Sequence, residues 1–176
     1  MNASDAIKTH FALAYRTISM NNEGMSHEDS IRQPAPAGNC ANWIVGHVTA
    51  VQNEVMKLLG EAPAWDSEAL ARTAAPITGE AEAIDWSAML EALLGAEERC
   101  LAAIDRLSPE KLDEPGYPNP LGGELTFGEL LNFLAFHQSY HAGQIGMARR
   151  LAGLDGVIKG PQERAEAHVR PSISVS

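Results

Sequence analysis

The chain has 176 residues, of which 45% are apolar and 20% are charged, a composition typical of one folded globular domain. Thirteen basic against 23 acidic residues give a net charge of −10, which disfavours binding to nucleic-acid phosphates and to anionic lipid. No apolar run approaches the roughly 20 residues of a membrane span, and Cys40 and Cys100 form no Cys-x-x-Cys motif, so we expect a cytoplasmic protein without a membrane or nucleic-acid partner.

The sequence predicts an all-α fold, because Ala, Leu, Glu and Met dominate every periodic stretch and β-branched runs are short. The first predicted helix covers about residues 5–20, where apolar residues recur at helical spacing. The second begins near Asn39, a favourable N-cap, and ends before Gly60, a favourable C-cap. The third extends from about Asp85 to Leu107.

The fourth predicted helix has the clearest beginning, because Thr126 and Glu129 form a capping box. Its last turns are basic and Gly153 lies just beyond them, which is typical of a helix end.

A long connection separates the second and third predicted helices. Its 24 residues, 61–84, exceed what antiparallel neighbours need. We therefore expect a four-helix bundle with a long crossover between helices 2 and 3, which leaves these two helices parallel. The predicted domain covers residues 1–153, and the polar segment 154–176 is expected to form an irregular tail of that domain.

Three histidines are candidate metal ligands. His137 and His141 are four residues apart in helix 4, so both imidazoles project from one face, which is the core-facing stripe. His47 of helix 2 can point into the bundle at the margin of the core. A buried imidazole without a partner costs roughly 1–3 kcal/mol, whereas Zn²⁺ or Ni²⁺ binds neutral imidazoles well. Three histidines would leave a position open for water or substrate, but a pair of hydrogen-bonded core histidines is the alternative that the pattern allows.

Four further side chains are candidates for assisting these histidines. Gln144 falls between the two helix-4 histidines in angle, and Tyr140 lies at the edge of the same face. Glu54 lies two turns after the helix-2 histidine, although a solvated carboxylate is favoured there. Glu97 falls within the apolar stripe of helix 3, an unfavourable place for a carboxylate without a partner.

Two motifs resemble the DinB/YfiT-like superfamily. They are Asn42-Trp43-Ile44-Val45-Gly46-His47 in helix 2 and His137-x-x-x-His141-x-Gly143-Gln144-Ile145 in helix 4. The order of elements is also similar, so the resemblance covers roughly residues 5–153. It implies a bundle with one crossover, often a homodimer, and one divalent metal ion held by the three histidines.

The resemblance also implies chemistry on a small-molecule substrate. Characterised relatives include metal-dependent transferases or isomerases that use low-molecular-weight thiols, and other members are called metal-dependent hydrolases. We therefore expect a metal-dependent enzyme that activates either a low-molecular-weight thiol or water, and the sequence does not choose between them. The alternative is a non-catalytic metal- or ligand-binding bundle. Peptidase activity is excluded, because Gln138 stands where a His-Glu-x-x-His site needs its base.

Overall fold

The computed structural model describes residues 2–35 and 37–158 and is helical over most of these ranges. Its α-helices are α1 (Ala3–Asn22), α2 (His27–Ser30), α3 (Ala41–Leu58), α4 (Trp86–Gly95), α5 (Glu97–Asp105), α6 (Pro109–Leu112) and α7 (Phe127–Leu151). A 3₁₀ helix covers Glu68–Ala74, and two short strands, β1 (Tyr117–Pro118) and β2 (Glu124–Leu125), pair antiparallel. The predicted predominance of helix is therefore confirmed. Most of the predicted C-terminal tail, from residue 159 onward, lies outside the described residues.

The ends of the long helices follow from local chemistry. Thr126 and Glu129 form the predicted capping box at the start of α7. A second capping box, formed by Asn2 and Asp5, starts α1 earlier than expected. The N-cap of α3 is Cys40 rather than Asn39, and its side chain makes no capping hydrogen bond.

The third predicted helix is not continuous. It is interrupted at Ala96, which separates α4 from α5. Gly95 weakens the helix at this point, since glycine costs about 1 kcal/mol relative to alanine in a helix interior. The N–H of Ala96 then bonds to the carbonyl of Leu93, three residues back, which tightens the turn.

Contacts at the two ends of α3 show in which direction the α4–α5 segment runs. α1 packs against α7 and α5, and α3 packs against α7 and α4. The Asn42 side chain, near the start of α3, contacts Ile84 just before α4. At the other end, Glu61 follows α3 and pairs with Arg106 directly after α5. The α4–α5 segment therefore runs parallel to α3.

Two asparagines of α3 form hydrogen bonds to the connection between α3 and α4. Asn53 donates to the Trp65 carbonyl (2.8 Å) and accepts from the Trp65 N–H (3.1 Å). Asn42 makes the same pair of bonds with Ile84, at 2.8 and 2.9 Å. These reciprocal bonds satisfy backbone groups at both ends of the segment 65–84, which therefore lies along α3.

The connection also approaches α3 closely at Gly46. A Cβ atom at this position would lie 2.7 Å from Thr73 Cγ2 and 2.9 Å from Ile84 Cδ1. A side chain here would require the Thr73 and Ile84 side chains to shift, and the next residue along α3 is His47.

The core is largely apolar, and one row of buried polar side chains crosses it. Tyr15, Gln52, Cys100 and Gln138 are fully buried and come from α1, α3, α5 and α7. The Gln138 amide donates to Gln52, and burial raises the pKa of the Cys100 thiol to about 11. This thiol therefore stays protonated near neutral pH.

None of the described helices has the length and apolarity of a membrane-crossing helix.

Candidate metal centre

The three predicted histidines meet between α3 and α7. His137 Nε2 lies 3.1 Å from His47 Nε2 and 3.1 Å from His141 Nε2. One ring nitrogen from each residue lies within 4.8 Å of the other two. His141 is buried, and His47 and His137 are partly exposed, so one side of the cluster faces solvent. Helix spacing aligned the two α7 histidines, but only the packing of α3 against α7 brings His47 to them.

The spacing of the three nitrogens suits a divalent metal ion. Two nitrogens that each lie about 2.0–2.1 Å from one Zn²⁺ at a tetrahedral angle are about 3.4 Å apart. The two 3.1 Å separations are close to this value. A neutral imidazole carries a single N–H, so His137 Nε2 cannot donate well to both neighbours at once. A shared cation would satisfy all three nitrogens, and the donor set therefore fits a metal-binding protein.

Burial and mutual proximity keep these histidines neutral. Burial, followed by the neighbouring charges of His141 and His47, lowers the pKa of His137 to about 4. Burial likewise lowers the pKa of His47 and of His141, although the Gln144 hydrogen bond partly opposes this shift at His141. Neutral imidazoles are the form that binds metal, so the donor set is available at neutral pH.

Among the predicted assisting residues, Gln144 forms a hydrogen bond to a histidine. Its Oε1 lies 2.7 Å from His141 Nδ1, and its Nε2 donates to the Tyr140 hydroxyl at 3.3 Å. An amide oxygen can only accept, so His141 Nδ1 carries the proton and its Nε2 directs a lone pair towards the other histidines. The exposed Tyr140 ring packs edge-on against His141 at 5.2 Å.

Trp43 is a neighbour of the site that the sequence analysis did not assign. Its indole stacks on the His47 imidazole, with ring centroids 5.0 Å apart and an interplanar angle of 12°. The signal was present in the sequence, because Trp43 precedes His47 by four residues and so shares its helix face.

The two candidate carboxylates lie elsewhere. The Glu54 side chain is 69% exposed and faces Lys57 at 4.0 Å, as the solvated alternative had it. Glu97 is partly buried and sits where its charge acts on Tyr15 and Cys100, the polar row of the core. Neither belongs to the cluster of potential metal ligands among the described residues.

The fold and the site together define a helical protein with three imidazole nitrogens converging from two helices. The sequence profile of the DinB superfamily matches residues 11–145. The chain therefore belongs to the DinB superfamily, as its two motifs indicated.

A solved structure has a similar fold. It is described as the conserved protein of a locus from Enterococcus faecalis, and it superposes with a TM-score of 0.64 over 86% of this chain and 98% of that one. The two sequences are 18% identical, so the likeness concerns the fold alone. Among curated proteins, no sequence matches the chain significantly.

Proposed function

We propose that the chain is a metal-dependent enzyme in which His47, His137 and His141 hold one divalent ion, Zn²⁺ or Ni²⁺, and a small-molecule substrate binds beside them. The convergence of three neutral imidazole nitrogens within 4.8 Å is the observation that carries this proposal. A divalent ion bound there would lower the pKa of a thiol or of water, either of which could then attack an electrophile.

The residues around the histidines would support this role in separate ways. Gln144 holds His141 in the tautomer that presents Nε2. Trp43 covers one face of His47 and limits its rotation. No described carboxylate belongs to the cluster, so three neutral donors leave the charge of a divalent ion uncompensated, which favours an anionic fourth ligand such as a thiolate.

Metal content tests the proposal directly. Purified tag-free protein is expected to contain about one Zn or Ni per chain by mass spectrometry. The triple variant His47→Ala/His137→Ala/His141→Ala should contain none, whereas His10→Ala, which removes a histidine bonded to Asn132, should retain it. Absence of metal from the native protein, even after reconstitution, would leave a helical protein with core histidines and no metal function.

The choice between thiol transfer and hydrolysis requires two substrates. Conjugation of a low-molecular-weight thiol such as glutathione or bacillithiol to a chloronitrobenzene, lost in His141→Ala, would support the transferase. Hydrolysis of an activated ester with the same dependence would support the hydrolase. The non-catalytic alternative rests on the lack of a described carboxylate that could act as a base in the cluster, and tight metal binding without turnover of either substrate would establish it.

We also propose that the helices form a four-helix bundle with one crossover, and that two copies associate as a homodimer. Large apolar side chains of α1 and α7 are exposed, among them Leu13 (57%) and Phe136 (56%). Such side chains are typical of the apolar centre of an interface. Light scattering should give a dimer mass for the native protein and a monomer mass for Phe136→Glu.

A cytoplasmic location stays a prediction from cysteine usage.

A further inference from the structure

A cleft of about 280 Å³ shares Gln144 with the surroundings of the three histidines. It opens between the loop that precedes α3 and the last turns of α7. Most of its wall is apolar and consists of Pro34, Ile44, Met147, Ala148 and Leu151. Its side-chain amides are those of Asn39 and Gln144.

The cleft is linked to the histidine cluster through Gln144, and none of the three histidines lines it. This side chain lines the cleft and lies 2.7 Å from His141 Nδ1. Ile44 precedes His47 by three residues, slightly less than one helical turn, and Leu151, the farthest lining residue on α7, follows His141 by ten residues. At about 1.5 Å per residue, the cleft therefore extends to roughly 15 Å from His141 along α7.

The wall of the cleft carries no charge among the residues that the structure describes there. Of the two basic side chains on α7 beside the cleft, Arg149 is turned away, because its guanidinium donates to the carbonyls of Asn21 (3.3 Å) and Glu23, and Arg150 does not line the cleft. The whole chain has a net charge of −10. A carboxylate or phosphate would thus find no cationic partner in this cleft, whereas an apolar group would be desolvated against aliphatic side chains.

We propose that this cleft binds the uncharged alkyl or aryl portion of the substrate, while the reacting group of that substrate lies at the histidines. This inference rests on the proposed function, that the histidines hold a metal ion. It specifies the substrate class as a neutral electrophile with an apolar chain, and it assigns Ile44, Met147 and Leu151 as residues that determine specificity.

Metal-chelating hydroxamic acids of different chain length test the cleft without requiring turnover. Calorimetric titration of Zn²⁺-loaded protein is expected to show that octanohydroxamic acid binds at least about tenfold more tightly than acetohydroxamic acid, since each buried methylene contributes roughly a fourfold gain. The monohydroxamate of suberic acid, which ends in a carboxylate, should lose most of this gain.

Variants test whether the tighter binding of the longer hydroxamic acid arises in the cleft. Met147→Glu should bring the ratio of the two affinities close to one. Leu121→Glu, at an exposed position of the β1–β2 loop that does not line the cleft, should retain the native ratio. Normal acetohydroxamate binding without a chain-length gain, or a gain that Met147→Glu does not alter, would overturn the cleft proposal alone. Failure of acetohydroxamate to bind would instead contradict the metal site, and the cleft proposal with it.

Discussion

The amide of Gln144 connects a candidate metal ligand to the cleft wall, and its orientation has a defined consequence. Because Oε1 faces His141 Nδ1 while Nε2 donates to Tyr140, the amide accepts the Nδ1 proton, and a reversed amide would require the other tautomer of His141. The His141 ring is thereby fixed with Nε2 towards the other histidines. Tautomer selection of this kind raises the affinity of a ligand set without adding a ligand.

We expect Gln144→Leu to weaken Zn²⁺ binding by about 10- to 100-fold, because the His141 ring would lose the acceptor of its Nδ1 proton. Competition with a chromogenic chelator measures this change. Gln144→Glu, which keeps an acceptor at the same place, should recover most of the affinity, and Tyr140→Phe should have a smaller effect. Equal affinities for the native and Leu proteins would mean that the bond does not orient the ring.

The lowered pKa values of the three histidines predict how the stability of chelator-treated protein depends on pH. In the unfolded chain these groups have pKa values of about 6.5, whereas the folded protein lowers that of His137 to about 4. The unfolded state therefore binds more protons in this window, and the free energy of unfolding should fall as the pH decreases from about 6.5 to 4. Urea titrations at several pH values measure it, and His137→Leu should show a shallower decrease than the native protein.

At the scale of elements, the close approach of the α3–α4 connection to Gly46 determines what that position accepts. Gly46→Ala should destabilise the protein by about 1–3 kcal/mol, because its Cβ would overlap Thr73 and Ile84. Gly143→Ala is the matched control on α7, where a Cβ would meet no atom within 4 Å. It should stabilise the helix by roughly 0.5–1 kcal/mol. Thermal or chemical unfolding compares the two, and equal effects would show that packing at position 46 is not limiting.

The elements differ in how well the sequence predicted them. The start of α7 was predictable because the bonds between Thr126 and Glu129 are local. The helix α2 was missed even though Ser26 and Asp29 form the same kind of capping box, since it spans only four residues. The β1–β2 hairpin was missed as well, because strands of two residues leave no periodic signal.

The site shows the same division between local and distant information. Four-residue spacing placed His137 and His141 on one face, and it also relates Trp43 to His47. His47 and His137 are 90 residues apart in the sequence, and only tertiary packing brings them together. The buried pair of Gln52 and Gln138 was not predicted either, because the bond between them forms only when two helices pack together.

For the molecule as a whole, the candidate ligands are divided between two parts of the chain, residues 1–79 and residues 80–176. His47 lies before the α3–α4 connection, and the two α7 histidines lie after it. The Asn42–Ile84 bonds also join these parts, whereas the Asn53–Trp65 bonds lie entirely within the first. An exposed turn around Gly79 and Glu80 separates them.

This division makes the protein suited to fragment complementation. Segments 1–79 and 80–176, produced separately, are each expected to be largely unfolded, because each would leave one side of the α3–α7 and α1–α7 contacts without a partner. Circular dichroism should show helix forming on mixing. Zn²⁺ should tighten the association, since each fragment supplies part of one ligand set, and His47→Ala in the first fragment should abolish this dependence. A split form of the chain would then act as a metal-dependent pair, with the ion as the third component of its assembly.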